Sequence, residues 1–246
     1  MMSPGELQKI MFLDIETVPQ TAALNEMSED LAHLWEDKFR LIQKRMPEKY
    51  TDETTATDAF SNSAGIYAEF GKIVCISVGF IYFKGLEMCF RTKSFAGDDE
   101  KKILDDFSAL IFKFCTSKEH TLCGHNIKEF DIPYICRRML INGIKLPPIL
   151  NISGKKPWDI NFIDTLELWK FGDYKNYTSL KLLTAVFGIP TPKDDIDGSQ
   201  VASVYYAEKN VQRIATYCQK DVVATAQVFL HLQANQGIKT ENIEFL

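Results

Sequence analysis

The stretch MFLDIETVP at residues 11–19 constrains the fold of this chain more than any other. Its Met, Phe, Leu, Ile and Val residues make a near-continuous apolar run, the composition of a central strand covered on both faces. Covering both faces takes layers of helix, so the chain reads as α/β. Set into the run are Asp14 and Glu16. Side chains alternate faces along a strand, so these two point one way and Leu13, Ile15 and Thr17 the other. Two carboxylates about 7 Å apart and partly out of water repel and raise each other's pKa. Such a pair calls for a positive charge beside it.

A chain of 246 residues buries one sizeable core, and 46% hydrophobic with 25% charged residues is ordinary for a globular protein. Residues 1–9 (MMSPGELQK) lack the apolar stretch of a signal peptide, and no run approaches the ~18 apolar residues of a membrane span. The six cysteines form no CxxC pair and mostly sit in apolar runs. Together these features give the expectation of a cytoplasmic protein with reduced thiols and no membrane association. The net charge of −5 at first argues against a nucleic-acid partner. An enzyme that carries its positive charge as bound cations needs no basic composition, however. Basic clusters occur at Arg137-Arg138, at Lys155-Lys156, and at Lys170, Lys175 and Lys181 among aromatics. Each reads equally as phosphate contact or as ordinary solvated surface.

Along the chain, residues 20–70 are polar and too long for a turn. They contain the helical pattern SEDLAHLWEDKFRLIQKRM and a Thr/Asp/Ser-rich tract, and they read as an insertion or flap within a single domain spanning 1–246. GKIVCISVGFIYFKGLEMCFRTKSF is a hairpin turning at Lys84-Gly85. DDEKKILDDFSALIFKFC is a helix with acidic residues at its start. TLCGHN is a short strand ending in a turn, EFDIPYICRRMLING begins a helix that ends near Gly143, and NFIDTLELW reads as another strand. The last third is helical, ending in a long helix from about Val211 to Gln233. Strands that meander and then alternate with helices imply a mixed sheet with helices packed on it.

Three distant segments place carboxylates where strands end or helices begin. They are Asp14-x-Glu16, then HNIKEFD with Asn126 and Asp131, then YCQKD, whose Tyr217 and Asp221 share a helix face at i and i+4. Each alone has an ordinary reading: surface charges on a strand, a helix cap, or surface decoration of a helix. Taken together, FLDIETVP, GHNIKEFDIPYI and YCQKDVVAT resemble the three motifs of the DEDD 3′–5′ exonucleases, DxE, Nx3(F/Y)D and Yx3D. The resemblance is to the proofreading domains of family B DNA polymerases and to stand-alone exonucleases related to them. It extends from about residue 10 to 235, without matching 20–70. Tyr217, four residues before Asp221, places the chain in the tyrosine (DEDDy) subgroup.

The resemblance implies a ribonuclease H-like fold, a mixed five-stranded sheet flanked by helices. It implies that Asp14, Glu16, Asp131 and Asp221 hold two Mg²⁺ or Mn²⁺ ions, with Asp14 shared between them. Tyr217 would orient the attacking water, backbone groups near Thr17 would meet the terminal 3′-hydroxyl, and Asn126 and Phe130 would line the path of the nucleotides. Phe130 reads equally as a core residue. Physical chemistry supports the cation reading on its own: phosphodiester hydrolysis needs activated water and neutralised charge, and four carboxylates roughly balance two hard cations. The expected activity is metal-dependent 3′–5′ hydrolysis at a single-stranded 3′ end, DNA favoured over RNA. An exoribonuclease of the same fold and a non-catalytic nucleic-acid-binding module are the alternatives. His125 adjoins Asn126 and reads as a substrate contact or, in preference, as structural, and Asp164 is an acid left outside the site.

Overall fold

The strand β1 (Ile10–Pro19) has its two faces buried against different layers, as its composition requires. The computed structural model describes residues 2–173, 175–190 and 196–246. A short N-terminal helix, α1 (Pro4–Leu7), leads into β1. The insertion that follows carries α2 (Glu29–Arg45) and α3 (Ala56–Ser63). The hairpin β2 (Gly71–Lys84) and β3 (Glu87–Ala96) comes next, then α4 (Glu100–Phe114), β4 (Thr121–Gly124) and α5 (Asp131–Ile141). The remainder is β5 (Ile163–Asp164), α6 (Thr165–Lys170), α7 (Leu180–Val186), α8 (Val201–Tyr206), the long α9 (Val211–Leu232) and β6 (Ile243–Phe245).

The strands form one mixed sheet in the order β5-β4-β1-β2-β3-β6. Strands β1, β2 and β3 are antiparallel, β4 and β5 run parallel to β1, and β6 runs parallel to β3. The expected mixed sheet flanked by helices is present, with one correction: six strands, not five. The extra strand is three residues at an edge, too short to carry a period that sequence reading could detect. A second correction concerns NFIDTLELW, which is strand only at Ile163–Asp164 and then turns into α6. Asp164 is the reason, because its carboxylate caps the helix by accepting from the amides of Leu166 (2.9 Å) and Glu167 (3.4 Å).

Side-chain alternation along β1 separates the two layers. Met11, Leu13 and Ile15 pack with Ile103, Phe107 and Ile111 of α4 and Ile132, Ile135 and Met139 of α5. Phe12 faces the other way, onto Val222, Ala226, Phe229 and Leu230 of α9, and Val18 packs with Ile214 and Cys218. Asp14 and Glu16 share the parity of Phe12 and Val18, so they face α9. Between Glu16 and Thr17 the register slips, Glu16 opposing Cys75 and Thr17 opposing Ile73, so a bulge sits directly beside the acidic pair.

Residues 20–70 build a second, smaller cluster. Trp35 is fully buried among Phe39, Phe60 and Phe70, and its indole N–H donates to the Ala56 carbonyl at 2.8 Å. Where this segment returns to the sheet, the buried Arg138 and Glu100 lock it in place. Arg138 Nε and Nη2 donate to the two Glu100 oxygens at 2.8 and 2.6 Å, and Nη1 donates to the Ala68 carbonyl at 2.8 Å. The Ile73 amide completes the set on Glu100 Oε1 at 2.7 Å. Arg138 is therefore no part of a phosphate-binding surface, contrary to one reading of Arg137-Arg138. Lys155, Lys156, Lys175 and Lys181 are exposed, with the Lys156 ammonium 5.2 Å from the Trp158 ring centroid. No helix among the described residues is long and apolar enough to cross a membrane.

Candidate active site

Because β1, β4 and β5 are parallel, their carboxyl ends lie on one edge, the usual place for a site in a sheet of this kind. Four of the acids singled out from the sequence gather there. Asp14 and Glu16 come from the middle of β1, Asp131 is the first residue of α5, and Asp221 lies in α9. One ligand atom from each of Asp14, Glu16 and Cys218 lies within 4.8 Å of the others. Asp131 reaches the same strand by another route, accepting the Ile15 amide on Oδ1 at 3.2 Å.

The electrostatics of the group are one-sided. Burial pushes the Asp14 carboxyl well above the usual range, and the charges of Glu16, Asp221 and Asp131 push it further. Glu16 is raised by burial and by Asp221, Cys75 and Asp131. Asp131 is pushed up to about 7, burial outweighing the hydrogen bonds it accepts from its own amide and that of Ile15. No lysine or arginine pairs with Asp14, Glu16 or Asp131 among the described residues. Glu16 is 8% exposed and its carboxylate accepts no hydrogen bond there. Buried carboxylates ordinarily find a cation or a donor. Oxygen donors arranged this way fit a hard divalent cation.

Tyr217 and Asp221 share a face of α9, as their spacing requires, and the Tyr217 hydroxyl hydrogen-bonds Asp221. Burial, then the charges of Asp221, Glu16 and Asp14, push the phenol above its ordinary pKa, so it stays protonated, its proton donated to the Asp221 carboxylate. Its neighbour Cys218 is a site residue that sequence reading assigned to the core. The Cys218 thiol donates to Asp14 Oδ2 at 3.2 Å and lies 3.4 Å from the Asp14 carbonyl. The available signal is position: Cys218 directly follows Tyr217 on α9.

Asn126 stands just beyond β4 with φ +61, a left-handed conformation that asparagine adopts more readily than most residues. Asp164 makes that turn possible. It accepts the Asn126 amide (2.9 Å) and the Lys128 amide (3.2 Å) while capping α6, so one carboxylate fixes the loop carrying Asn126 and Asp131. This is a positioning role. His125 is structural too: Nε2 faces the Thr178 carbonyl at 3.0 Å and so carries the proton, leaving Nδ1 to accept from the Thr165 hydroxyl at 2.9 Å. Thr17 and Phe130 line a cleft of about 270 Å³ that also includes Glu16. Phe130 packs partly against the core as well, 5.5 Å between ring centroids from Tyr134, so both of its readings hold.

In a search of solved structures, the family B DNA polymerase from the hyperthermophilic archaeon Pyrobaculum calidifontis matches at 13% identity with a TM-score of 0.48. That match covers 90% of this chain, which spans 24% of the polymerase chain. No curated protein matches. The family described as "Predicted 3′-5′ exonuclease related to the exonuclease domain of PolB" matches residues 66–244. That range takes in Asn126, Phe130, Asp131, Tyr217 and Asp221, while Asp14, Glu16 and Thr17 precede it, on the far side of the insertion. With nearly three quarters of its length matched, the chain belongs to the family of predicted 3′–5′ exonucleases related to the exonuclease domain of PolB.

Proposed function

We propose that this chain is a metal-dependent 3′–5′ exonuclease that removes nucleotides from single-stranded 3′ ends, DNA in preference to RNA. The observation that carries the reading is the gathering of Asp14, Glu16, Asp131 and Asp221 without a cationic side chain to balance the first three. Asp14, Glu16, Asp131 and Asp221 would hold two divalent ions, Mg²⁺ or Mn²⁺. Ions bound there lower the pKa of the attacking water and neutralise the charge that develops on the phosphate.

The chain's own groups then have separate tasks. Tyr217, protonated, would turn its one hydroxyl proton from Asp221 to the attacking water and hold that water in line; with a raised pKa it is no general base. The Cys218 thiol fixes one Asp14 oxygen and leaves the other to face the site. The Ile15 amide does the same for Asp131. Thr17 and Phe130 meet the terminal nucleotide in the cleft beside Glu16, and Asn126, outside that cleft, would line the path of the nucleotides. Discrimination between DNA and RNA rests on contacts to the 2′-position.

The test is degradation of matched single-stranded DNA and RNA oligonucleotides, labelled at either end, with Mg²⁺, Mn²⁺ or EDTA. Shortening of 5′-labelled DNA from its 3′ end, with mononucleotide release and full inhibition by EDTA, supports the reading. Faster degradation of RNA makes the protein an exoribonuclease. Tight binding without cleavage of either makes it a binding module.

A further inference from the structure

The insertion contributes to the site itself. The cleft of about 270 Å³ beside Glu16 and Thr17 has Phe130 in its lining, and it is also lined by Ser61, Asn62 and Ile66, from the end of the insertion. Most large apolar residues of the insertion's C-terminal part, such as Phe60 and Phe70, are buried in its aromatic cluster. Ile66 is 53% exposed. The Ser61 hydroxyl forms no hydrogen bond among the described residues, and the Asn62 amide makes only a 3.4 Å contact to the Asp58 carbonyl. One apolar side chain and two under-used polar ones thus border the same cleft as the residues assigned to the 3′ end.

The wall is also held rigidly. A Cβ on Gly65 would lie 3.0 Å from the Val18 carbonyl carbon and 3.1 Å from the Pro19 nitrogen, so glycine lets this turn lie directly on β1 where a side chain would press on its backbone. The Tyr134 hydroxyl donates to the Gly65 carbonyl at 2.8 Å from the other side. Ser61, Asn62 and Ile66 are therefore fixed relative to Glu16 and Thr17 before any substrate arrives, the condition under which contacts yield selectivity at little ordering cost. The cleft is smaller than the roughly 300–1,000 Å³ that encloses drug-sized ligands, which suits one nucleoside and not a duplex.

We propose that residues 61–66 of the insertion form the specificity wall for the 3′-terminal nucleoside, Ile66 and Phe130 supplying apolar surface to its base and Ser61 and Asn62 its polar edge. This rests on the exonuclease reading and deepens it: the insertion is what lets the site read the terminal base.

The experiment crosses a protein change with a substrate change. Wild type and Ile66→Ala are each given single-stranded DNA ending in an ordinary nucleotide or in an abasic residue, with Mg²⁺. In wild type, loss of the terminal base raises KM about 10-fold, while in Ile66→Ala the penalty shrinks to about 2-fold, the coupling a direct base contact produces. Ile66 is exposed, and an unchanged melting temperature checks that the variant is folded. Ser61→Ala/Asn62→Ala shifts the ratios of kcat/KM among the four terminal bases by about 3-fold or more. An equal abasic penalty in wild type and Ile66→Ala, with cleavage intact, overturns the wall and leaves the exonuclease reading standing. Absence of cleavage by wild type overturns both.

Discussion

The main-chain amide of Ile15 donates to the Asp131 carboxylate at 3.2 Å, joining residues 116 apart in sequence. The strand that carries Asp14 and Glu16 thereby positions a third acid, and one backbone group couples two motifs. The bond lowers the Asp131 pKa, yet burial prevails and leaves it at about 7.

This fixes the sign of the pH dependence without metal. An unfolded aspartate titrates near 3.8, so between that value and about 7 the native state binds more protons than the unfolded state. Stability is then fully present below the unfolded pKa and falls as pH rises toward 7, and the raised Asp14 and Glu16 add in the same direction. The melting temperature in EDTA is expected to be several degrees higher at pH 5 than at pH 8, and Mg²⁺ to remove most of the difference. Calorimetric scans across this range check it; an EDTA melting temperature that rises to pH 8 contradicts it.

Asp14→Asn removes one charge from the cluster while keeping an oxygen for the Cys218 thiol. It should abolish cleavage and, in EDTA at pH 7.5, melt no lower than wild type, because like-charge repulsion is relieved. Paired assays of cleavage and thermal melting decide this. A variant that melts several degrees lower without metal would show that Asp14 holds the fold.

Tyr217→Phe keeps the ring and removes one oriented donor. Single-turnover cleavage should slow by roughly 10- to 1,000-fold, as when one transition-state hydrogen bond is deleted. Oligonucleotide affinity measured in Ca²⁺ should hardly change. Asp221→Ala, one turn away, should lose metal affinity as well as rate. Wild-type speed in Tyr217→Phe would reduce the tyrosine to packing.

Glu100→Gln leaves the Arg138 guanidinium buried with a weaker partner, and Arg138→Ala leaves Glu100 uncompensated. Both residues are at most 8% exposed, so each change should cost about 3–5 kcal/mol, as breaking one side of a buried pair usually does. Urea denaturation measures this directly. A loss under about 1 kcal/mol would show that water replaces the pair.

Much of the candidate site was legible because it sets unusual residues into regular patterns. Carboxylates inside an apolar strand break its composition, and the i, i+4 spacing of Tyr217 and Asp221 survives in α9 because the helix is long. Alternation along β1 placed Asp14 and Glu16 on one face, and folding turns that face toward α9. What escaped was set by tertiary contact. The strand β6 is three residues held by β3, and Asp164 looked like a strand residue until its four amide partners were visible. Cys218 looked like any buried thiol, and Arg138 like half of a basic pair. The insertion showed its helix but not its aromatic core, because Trp35 and Phe70 are brought together only by folding.

The central claim, hydrolysis by four gathered acids and divalent ions, meets its most direct test in one gel. A 5′-labelled single-stranded DNA is incubated with wild type, Asp14→Asn and Asp131→Asn, each in Mg²⁺ and in EDTA. The expected result is a ladder shortening from the 3′ end in the wild-type Mg²⁺ lane, at least about 1,000-fold slower in both variants and absent in EDTA. Intact DNA with wild type and Mg²⁺, or ladders of equal speed in the variants, would contradict it.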